Sequence, residues 1–93
     1  MSRRTDDVFR VGAPGVVWRA AGDEIIVLDT VSSVYFGLDR AGALLWTHLV
    51  GGATAVDLVA VLVAAEPVDQ ARATVDVTDF LDALLGHGLI QRG

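Results

Sequence analysis

The sequence predicts an α+β domain in which a three-stranded antiparallel sheet is followed by three helices, in the order βββααα. Three short runs rich in β-branched and aromatic residues lie between positions 16 and 38, separated by turn residues. Apolar residues then recur at helical spacing to about residue 85, with glycine or proline between successive segments. The 93 residues are 53% hydrophobic and 20% charged, which suits one domain with a core of its own.

The three strands are predicted from residue type and from the turns between them. The first covers Val16–Ala21, and the Gly-Asp pair at 22–23 is typical of a hairpin turn. The second covers Glu24–Asp29, where four consecutive apolar residues suit a central strand covered on both faces. A turn at 30–33, whose serines and threonine supply hydrogen bonds, leads to the third strand, Val34–Leu38. Both outer strands of this meander are edges, and an open edge is a template for another chain's backbone.

The first 15 residues are predicted to be a flexible arm and linker, and residues 16–93 the folded domain. Positions 1–7 are polar and have no periodicity. Positions 8–11 can join as an extended arm, and the Gly-Ala-Pro-Gly run at 12–15 reads as a turn or linker.

Each helix is delimited by a capping residue and a helix breaker. Asp39, Thr54 and Asp69 precede the three helical segments, and their side chains can accept hydrogen bonds from the first turn. The glycine pair at 51–52 ends the first helix, and Pro67 ends the second. The helices are therefore predicted over about 40–50, 55–66 and 70–85, with a short terminal strand fragment at 89–90.

Helical periodicity divides each helix into a buried and an exposed face. In the third helix, Val75 falls almost opposite the apolar stripe, so it either floors a groove or is a singly exposed valine. The predicted core stripes are Leu44, Leu45 and Leu49 in the first helix, Leu58, Val59, Leu62 and Val63 in the second, and Ala73, Val77, Leu81 and Leu84 in the third.

No set of side chains in the sequence predicts catalysis. The chain has no cysteine, which excludes disulfides, thiolate zinc sites and a cysteine nucleophile. The two histidines, His48 and His87, lie on different segments without a third ligand at metal spacing. Asp76, Asp79 and Asp82 recur every three residues, which is more typical of a solvated acidic face than of a catalytic pair. We therefore expect no enzymatic activity and no cofactor, and the lack of cysteine and of a signal peptide favours the cytoplasm.

Charge and hydropathy disfavour two classes of partner. The net charge is −5, which disfavours nucleic acid and anionic membranes, and the longest apolar runs are too short to span a bilayer. The second and third helices, with the strands as a wing, could form a DNA-binding winged helix-turn-helix. The would-be recognition helix and its cap carry four aspartates against one basic residue, Arg72, so it would repel phosphates.

Several short motifs follow one another in a set order and spacing. They are Tyr35-Phe-Gly-Leu-Asp-Arg-Ala-Gly-Ala-Leu-Leu-Trp46, Leu49-Val-Gly-Gly52, Thr54-Ala-Val-Asp-Leu58, Val75-Asp76, Phe80-Leu81 and Gly88-Leu89-Ile90. Together they resemble the PqqD-like family of recognition elements for the precursors of RiPPs, the ribosomally made and post-translationally modified peptides. The resemblance covers about residues 16–91. It departs from the family at Asp39, where asparagine is common, and both residues cap helices.

The resemblance implies a winged helix-turn-helix with a three-stranded sheet, most similar to the stand-alone leader-binding subunit of lasso-peptide biosynthesis. Such subunits work beside a leader peptidase, which is a transglutaminase-like cysteine protease, and an ATP-dependent macrolactam synthetase, the cyclase. The alternatives are a PqqD-like peptide chaperone for a radical enzyme or another RiPP-modifying enzyme, and a winged-helix DNA-binding regulator. In the family, the leader adds as a fourth strand along the third strand, with its side chains in the cleft beside the third helix.

Carried over to this sequence, the resemblance implies a leader-binding site on the third strand and the third helix. Helix-wheel geometry leaves open whether the Val75/Asp79 side or the Asp76/Phe80 side of that helix lines the cleft. Either Tyr35 or Phe36 must point toward the helix, because adjacent strand residues face opposite sides. The implied site residues are Ser33, Val34, Tyr35, Phe36, Val75, Asp76, Asp79 and Phe80.

Overall fold

The computed structural model describes residues 7–12 and 14–93, which form two three-stranded sheets and three helices. The predicted polar arm at positions 1–6 lies outside the described residues. In chain order the elements are β1 (Val8–Val11), β2 (Val16–Ala21), β3 (Glu24–Asp29), β4 (Val34–Leu38), α1 (Arg40–Gly51), β5 (Ala53–Thr54), α2 (Ala55–Ala65), α3 (Gln70–Gly86) and β6 (Ile90–Arg92).

The predicted three-stranded meander is confirmed, with β3 in the centre and β2 and β4 at the edges. Ala21 pairs with Glu24, so a two-residue turn joins β2 to β3. Gly22 in that turn has φ +67°, a left-handed conformation that glycine adopts without strain. The β3–β4 pairing runs from Ile25 opposite Leu38 to Asp29 opposite Val34.

The expectation that β3 is covered on both faces is wrong. Ile25 and Val27 are buried, whereas Ile26 between them is 39% exposed. The core lies against one face of this sheet, so alternate residues of β3 meet the core and the others face outward. The outward face also carries Val17 and Tyr35, both exposed.

The turn at 30–33 is held by Thr30, as expected, and by Asp29 in place of the serines. Asp29 Oδ1 accepts hydrogen bonds from the backbone N–H of Val31 at 3.0 Å and of Ser32 at 3.4 Å. The Thr30 hydroxyl and its N–H both donate to the Gly15 carbonyl at 2.7 Å, which ties the turn to the start of β2. The aspartate, rather than the serines, therefore fixes the approach to β4.

The order βββααα omits a second small sheet, in which β1 lies between β5 and β6. Val11 pairs with Ile90 and Phe9 with Ala53, all antiparallel. Phe9 is buried in the core, so positions 8–11, which the sequence predicted as part of an arm, pack with the rest of the chain. Strands of two to four residues carry too little pattern to be predicted, because their partners are distant in sequence.

The predicted helix caps are present. Asp39 Oδ1 accepts a hydrogen bond from Gly42 N–H at 2.9 Å, and Asp69 Oδ1 accepts one from Arg72 N–H at 2.8 Å. Thr54 and Asp57 form a reciprocal capping box, with both bonds at 3.1 Å. The three helices therefore begin where the sequence placed them.

The core joins all three helices to the inner face of the meander and to the second sheet. The stripe predicted for α3 is buried in full, and Leu45, Leu49, Leu58 and Leu62 are buried as predicted. Leu44 and Val59 are only half-buried. Val63 is 40% exposed, so its predicted place in the core is wrong. The largest fully buried side chains are Trp46, Leu49, Leu58, Leu89, Val27 and Val77.

We expect Asp39→Ala to lower the free energy of unfolding by about 0.5–2 kcal/mol, because the Gly42 N–H at the start of α1 loses its acceptor. Asp39→Asn is the control, since an asparagine side chain caps nearly as well. Urea unfolding followed by circular dichroism measures the difference. Equal stability of the alanine and asparagine variants would contradict a stabilising cap.

Candidate functional site

Strand β4 presents an open edge. It pairs with β3 on one side, and within the described residues no strand pairs with its other side. The backbone N–H and C=O groups on that side are therefore available to an extended peptide. β2 is the second open edge, but β4 alone lies beside the cavity described below.

The side chains of β4 alternate, which decides between Tyr35 and Phe36. Phe36 pairs with the buried Val27 and shares its inward side, where its ring lies 4.7 Å from the His87 ring between centroids. Tyr35 points to the other face of the sheet and is 71% exposed. Phe36 is therefore the residue that faces the C-terminal end of α3.

A cavity of about 580 Å³ lies where the end of β4, the start of α1, the end of α2 and one side of α3 meet; we call it the β4–α3 groove. Its floor is apolar, and carboxylates also line it. The lining residues are Gly37, Leu38, Asp39, Ala41, Gly42, Leu45, Leu62, Glu66, Pro67, Val68, Asp76 and Phe80.

The groove uses the Asp76/Phe80 side of α3, the alternative that helix-wheel geometry left open. Asp76 and Phe80 both line it and both are half-buried. Val75 and Asp79 are exposed and do not line it. Val75 is two positions before the buried Val77, which places it on the opposite side of α3 from the core, and it is 50% exposed. It therefore does not share a side of the helix with Phe80.

Gly42 brings α1 close to α3 on the groove floor. A Cβ atom at this position would lie 3.4 Å from the Phe80 ring and 3.5 Å from the Leu38 Cβ, which is ordinary van der Waals contact. A larger side chain here would fill the space between α1 and Phe80. Glycine at 42 therefore keeps this part of the groove open.

The groove is acidic. Asp39, Glu66 and Asp76 line it, and none of the described residues adds a basic side chain to its lining. Asp76 pairs with Arg72 at 3.1 Å, an exposed helical pair worth about 0.5 kcal/mol or less. Asp39 is held by its capping bond. A peptide with a positive charge near its apolar side chains suits such a surface.

Two of the predicted site residues, Asp76 and Phe80, line the β4–α3 groove, and the other six do not. Ser33, Val34, Tyr35 and Phe36 lie along the turn and open edge of β4, and Ser33 has φ +61°. No sequence pattern identified Leu38, Gly42, Glu66, Val68 or His87 as site residues, although they line the groove or contact Phe36. The Pro67 turn was the available signal for Glu66 and Val68, since it fixes where α2 ends beside α3.

The described residues show neither a metal site nor a membrane-spanning helix. Among residues 7–12 and 14–93, no group of three or more His, Cys, Asp or Glu side chains could hold a metal ion. No helix in those residues combines the length and apolar character needed to cross a membrane. His87 instead caps α3, where its backbone N–H donates to the Ala83 carbonyl at 3.1 Å.

Fold and site together define a small α+β domain with an open strand edge beside an apolar, acid-rimmed groove. Residues 24–90 match the model of the PqqD family, coenzyme PQQ synthesis protein D. The chain therefore belongs to the PqqD family, and the resemblance found in the sequence is confirmed. A search of curated protein sequences gave no significant match.

Two solved structures share the fold over nearly the whole chain. TbiB1 in complex with the TbiA(beta) leader peptide has a TM-score of 0.80 at 30% sequence identity, over 88% of this chain and 94% of that chain. A lasso peptide synthetase B1 complexed with the leader peptide has a TM-score of 0.79 at 23% identity, over 89% of this chain and 96% of that chain. The second likeness shows the fold alone.

Proposed function

We propose that this chain binds the leader segment of a ribosomally made precursor peptide, and that the precursor is that of a lasso peptide. The observation that carries the proposal is the open edge of β4 directly beside the β4–α3 groove. An extended peptide paired with β4 would place alternate side chains in that groove. The likeness to TbiB1, a protein solved with a leader peptide, supports the same ligand.

The affinity would come from apolar anchors, and the register from the strand pairing. Two or three leader side chains buried in the groove would contribute about 1.5–3 kcal/mol each. A free leader is flexible, so ordering it opposes part of that gain. A Kd between about 1 μM and 1 nM is consistent with these terms.

The chain would contribute by delivering the leader rather than by chemistry. Held on the groove, the precursor reaches a high local concentration at the enzymes that act on it in the cytoplasm, a leader peptidase and an ATP-dependent cyclase. Peptide delivery to a radical enzyme is the other use compatible with the PqqD family. The likeness to TbiB1 supports leader binding, and the resemblance of the ordered sequence motifs to the stand-alone subunit of lasso-peptide biosynthesis favours the lasso-peptide role.

The test is to titrate the purified chain with the synthetic leader of a precursor encoded beside it, by calorimetry. We expect one-to-one binding in the stated range, and no binding of a shuffled peptide of the same composition. Equal binding of the native and shuffled leaders would overturn the proposal.

Incubated alone with the intact precursor, the chain is expected to leave the precursor's mass unchanged. The reason is that the described residues lining the groove offer carboxylates and apolar side chains, without a nucleophile activated by a neighbouring base. Mass spectrometry over several hours measures the outcome, with precursor in buffer as the control. Cleavage or dehydration by rigorously purified protein would contradict a purely binding role.

We expect Asp79→Lys to slow leader association, with an effect that shrinks as salt is raised. Asp79 is exposed on α3 near the acidic groove, and an exposed charge acts mainly on the encounter rate over about 10 Å at 0.1 M salt. Asp23→Lys changes the net charge equally in the β2–β3 turn and is the control. Stopped-flow fluorescence separates the two variants when it is run at about 20 mM salt, where charge screening is weak, and at about 500 mM salt, where it is strong. Identical association rates for both would argue against local steering by α3.

A further inference from the structure

The outward face of the meander, which is the side of the β2–β3–β4 sheet turned away from the core, carries large apolar side chains. Val17, Ile26 and Tyr35 lie on it and are 52%, 39% and 71% exposed. Together with Leu28 they line a cavity of about 320 Å³. Arg19 is the only charged residue among the described ones that line it, and it lies opposite Ile26 on β2, away from β4. An apolar surface therefore extends to the open edge of β4.

Gly37 leaves a gap in this surface on the edge strand. It pairs with Ile26, so a side chain at position 37 would point outward, on the same face as Tyr35 two positions earlier. A Cβ atom at Gly37 would meet none of the described residues within 4 Å. We call this gap, which Tyr35 bounds on β4 and Ile26 bounds on β3, the Gly37 notch. Gly37 also lines the β4–α3 groove, through its backbone.

The chain itself does not require glycine at position 37. Gly37 lies within β4 and has ordinary strand backbone, unlike Gly22 with its positive φ. The space around it is open, whereas a Cβ atom at Gly42 would contact Phe80. Glycine inside a strand lowers the strand's stability and often marks a place where a ligand approaches closely. The notch therefore suits a group from outside the chain.

A peptide that pairs with β4 presents side chains to both faces of the sheet. Its residues opposite Phe36 and Leu38 turn inward, toward α3 and the β4–α3 groove, and those opposite Tyr35 and Gly37 turn outward. The alternation is the same whichever way the peptide runs. A side chain opposite Gly37 meets no Cβ atom on β4, so it can lie across the glycine toward Ile26, whose strand is about 10 Å from the peptide.

We propose that the leader is recognised on both faces of the sheet, and that a large apolar leader side chain occupies the Gly37 notch between Tyr35 and Ile26. The inference rests on the proposed function, because it needs the leader on the β4 edge. The notch is continuous with that edge, and neither residue that bounds it is charged, so it accepts an apolar side chain better than a charged one. Tyr35 thereby contacts the leader although it faces away from α3.

A second copy of this chain suits the outward face less well. Three strands of five or six residues, spaced about 4.8 Å apart, form a face of about 14 by 20 Å, which is about 300 Å². Stable interfaces bury about 800 Å² on each partner. A single leader side chain, in contrast, needs only the notch.

The test uses Ile26→Thr, with Val17→Thr as the matched control. Both variants replace an exposed β-branched residue of the outward face by threonine, which keeps the preference for strand. Val17 lies on β2, about 14 Å from a peptide paired with β4 and out of its reach. Affinity for the labelled synthetic leader is measured by fluorescence anisotropy, at a temperature where every variant is folded by circular dichroism.

We expect Ile26→Thr to weaken leader binding about three- to fivefold and Val17→Thr to leave it within about 1.5-fold. Gly37→Thr fills the notch, so it should weaken binding similarly while raising the melting temperature, because threonine favours strands and glycine does not. A loss of affinity in a stabilised variant is not caused by unfolding. In the Gly37→Thr background, Ile26→Thr should have no further effect on affinity.

A serine scan of the same leader gives the matching measurement on the peptide. Recognition on both faces predicts that consecutive leader positions lose affinity, whereas recognition by the β4–α3 groove alone predicts losses at alternate positions. Losses at alternate positions only, or wild-type affinity of the Ile26→Thr variant, would overturn the proposal and leave the proposed function standing. A wild-type dimer that Ile26→Thr dissociates in analytical ultracentrifugation would overturn it in favour of a second copy. Absence of leader binding by the wild-type chain would instead overturn the proposed function itself.

Discussion

Proline at Val34 or at Tyr35 is expected to weaken leader binding at least tenfold while the fold survives in one of the two variants. Successive N–H groups of a strand point to opposite sides, so one of these residues directs its N–H to β3 and the other to the open edge. Proline removes that donor. At the open edge the loss falls on the leader, whereas at the β3 side it falls on the stability of the sheet.

Calorimetric titration with the leader and thermal unfolding of each variant distinguish the two cases. The matched control is proline at Arg19 and at Ala20, successive residues on the opposite edge of the same sheet. Those variants should reproduce the split in stability without changing leader affinity in the variant that stays folded. If the folded β4 variant binds the leader as the wild type does, β4 is not the docking edge.

Phe80→Ala is expected to lower leader affinity by more than about 1 kcal/mol, roughly fivefold or more, because its ring lines the floor of the β4–α3 groove. The ring is also packed against the core, so the substitution will cost some stability. Phe80→Leu keeps an apolar side chain of similar reach and is the control. Affinity by fluorescence anisotropy is compared at a temperature where all variants are folded by circular dichroism.

Val75→Glu tests which side of α3 the leader contacts. Val75 lies outside the groove, so we expect its substitution to leave the affinity within about twofold while Phe80→Ala weakens it. The opposite result, a loss with Val75→Glu and none with Phe80→Ala, would place the leader along the Val75/Asp79 side. The comparison therefore tests the groove assignment directly.

The sequence predicted those parts of the fold that depend on interactions between residues close together in the chain. The caps at Asp39, Thr54 and Asp69 act on N–H groups three residues away, so they could be predicted from the sequence. The stripe of α3 followed from helical periodicity for the same reason. The prediction that Val63 is buried was wrong because α2 is apolar on nearly all sides, so its periodicity does not show which face is buried.

The candidate site was predicted in part. The edge of β4 followed from the meander. The family resemblance left both sides of α3 open, and only Asp76 and Phe80 of its four helix residues line the groove. Glu66, Val68 and Gly42 join the groove because α2, the Pro67 turn and α1 converge on α3. That convergence depends on how helices pack, which no local pattern encodes.

The sequence by itself determined the meander, the three helices with their capped starts and the family, since each depends on neighbours within a few residues or on ordered motifs. Only the tertiary structure decided that β1, β5 and β6 form a second sheet, because strands of two to four residues pair across the length of the chain. It also decided that Phe36 and not Tyr35 faces α3, because the pairing of Phe36 with the buried Val27 fixes which side of β4 turns inward.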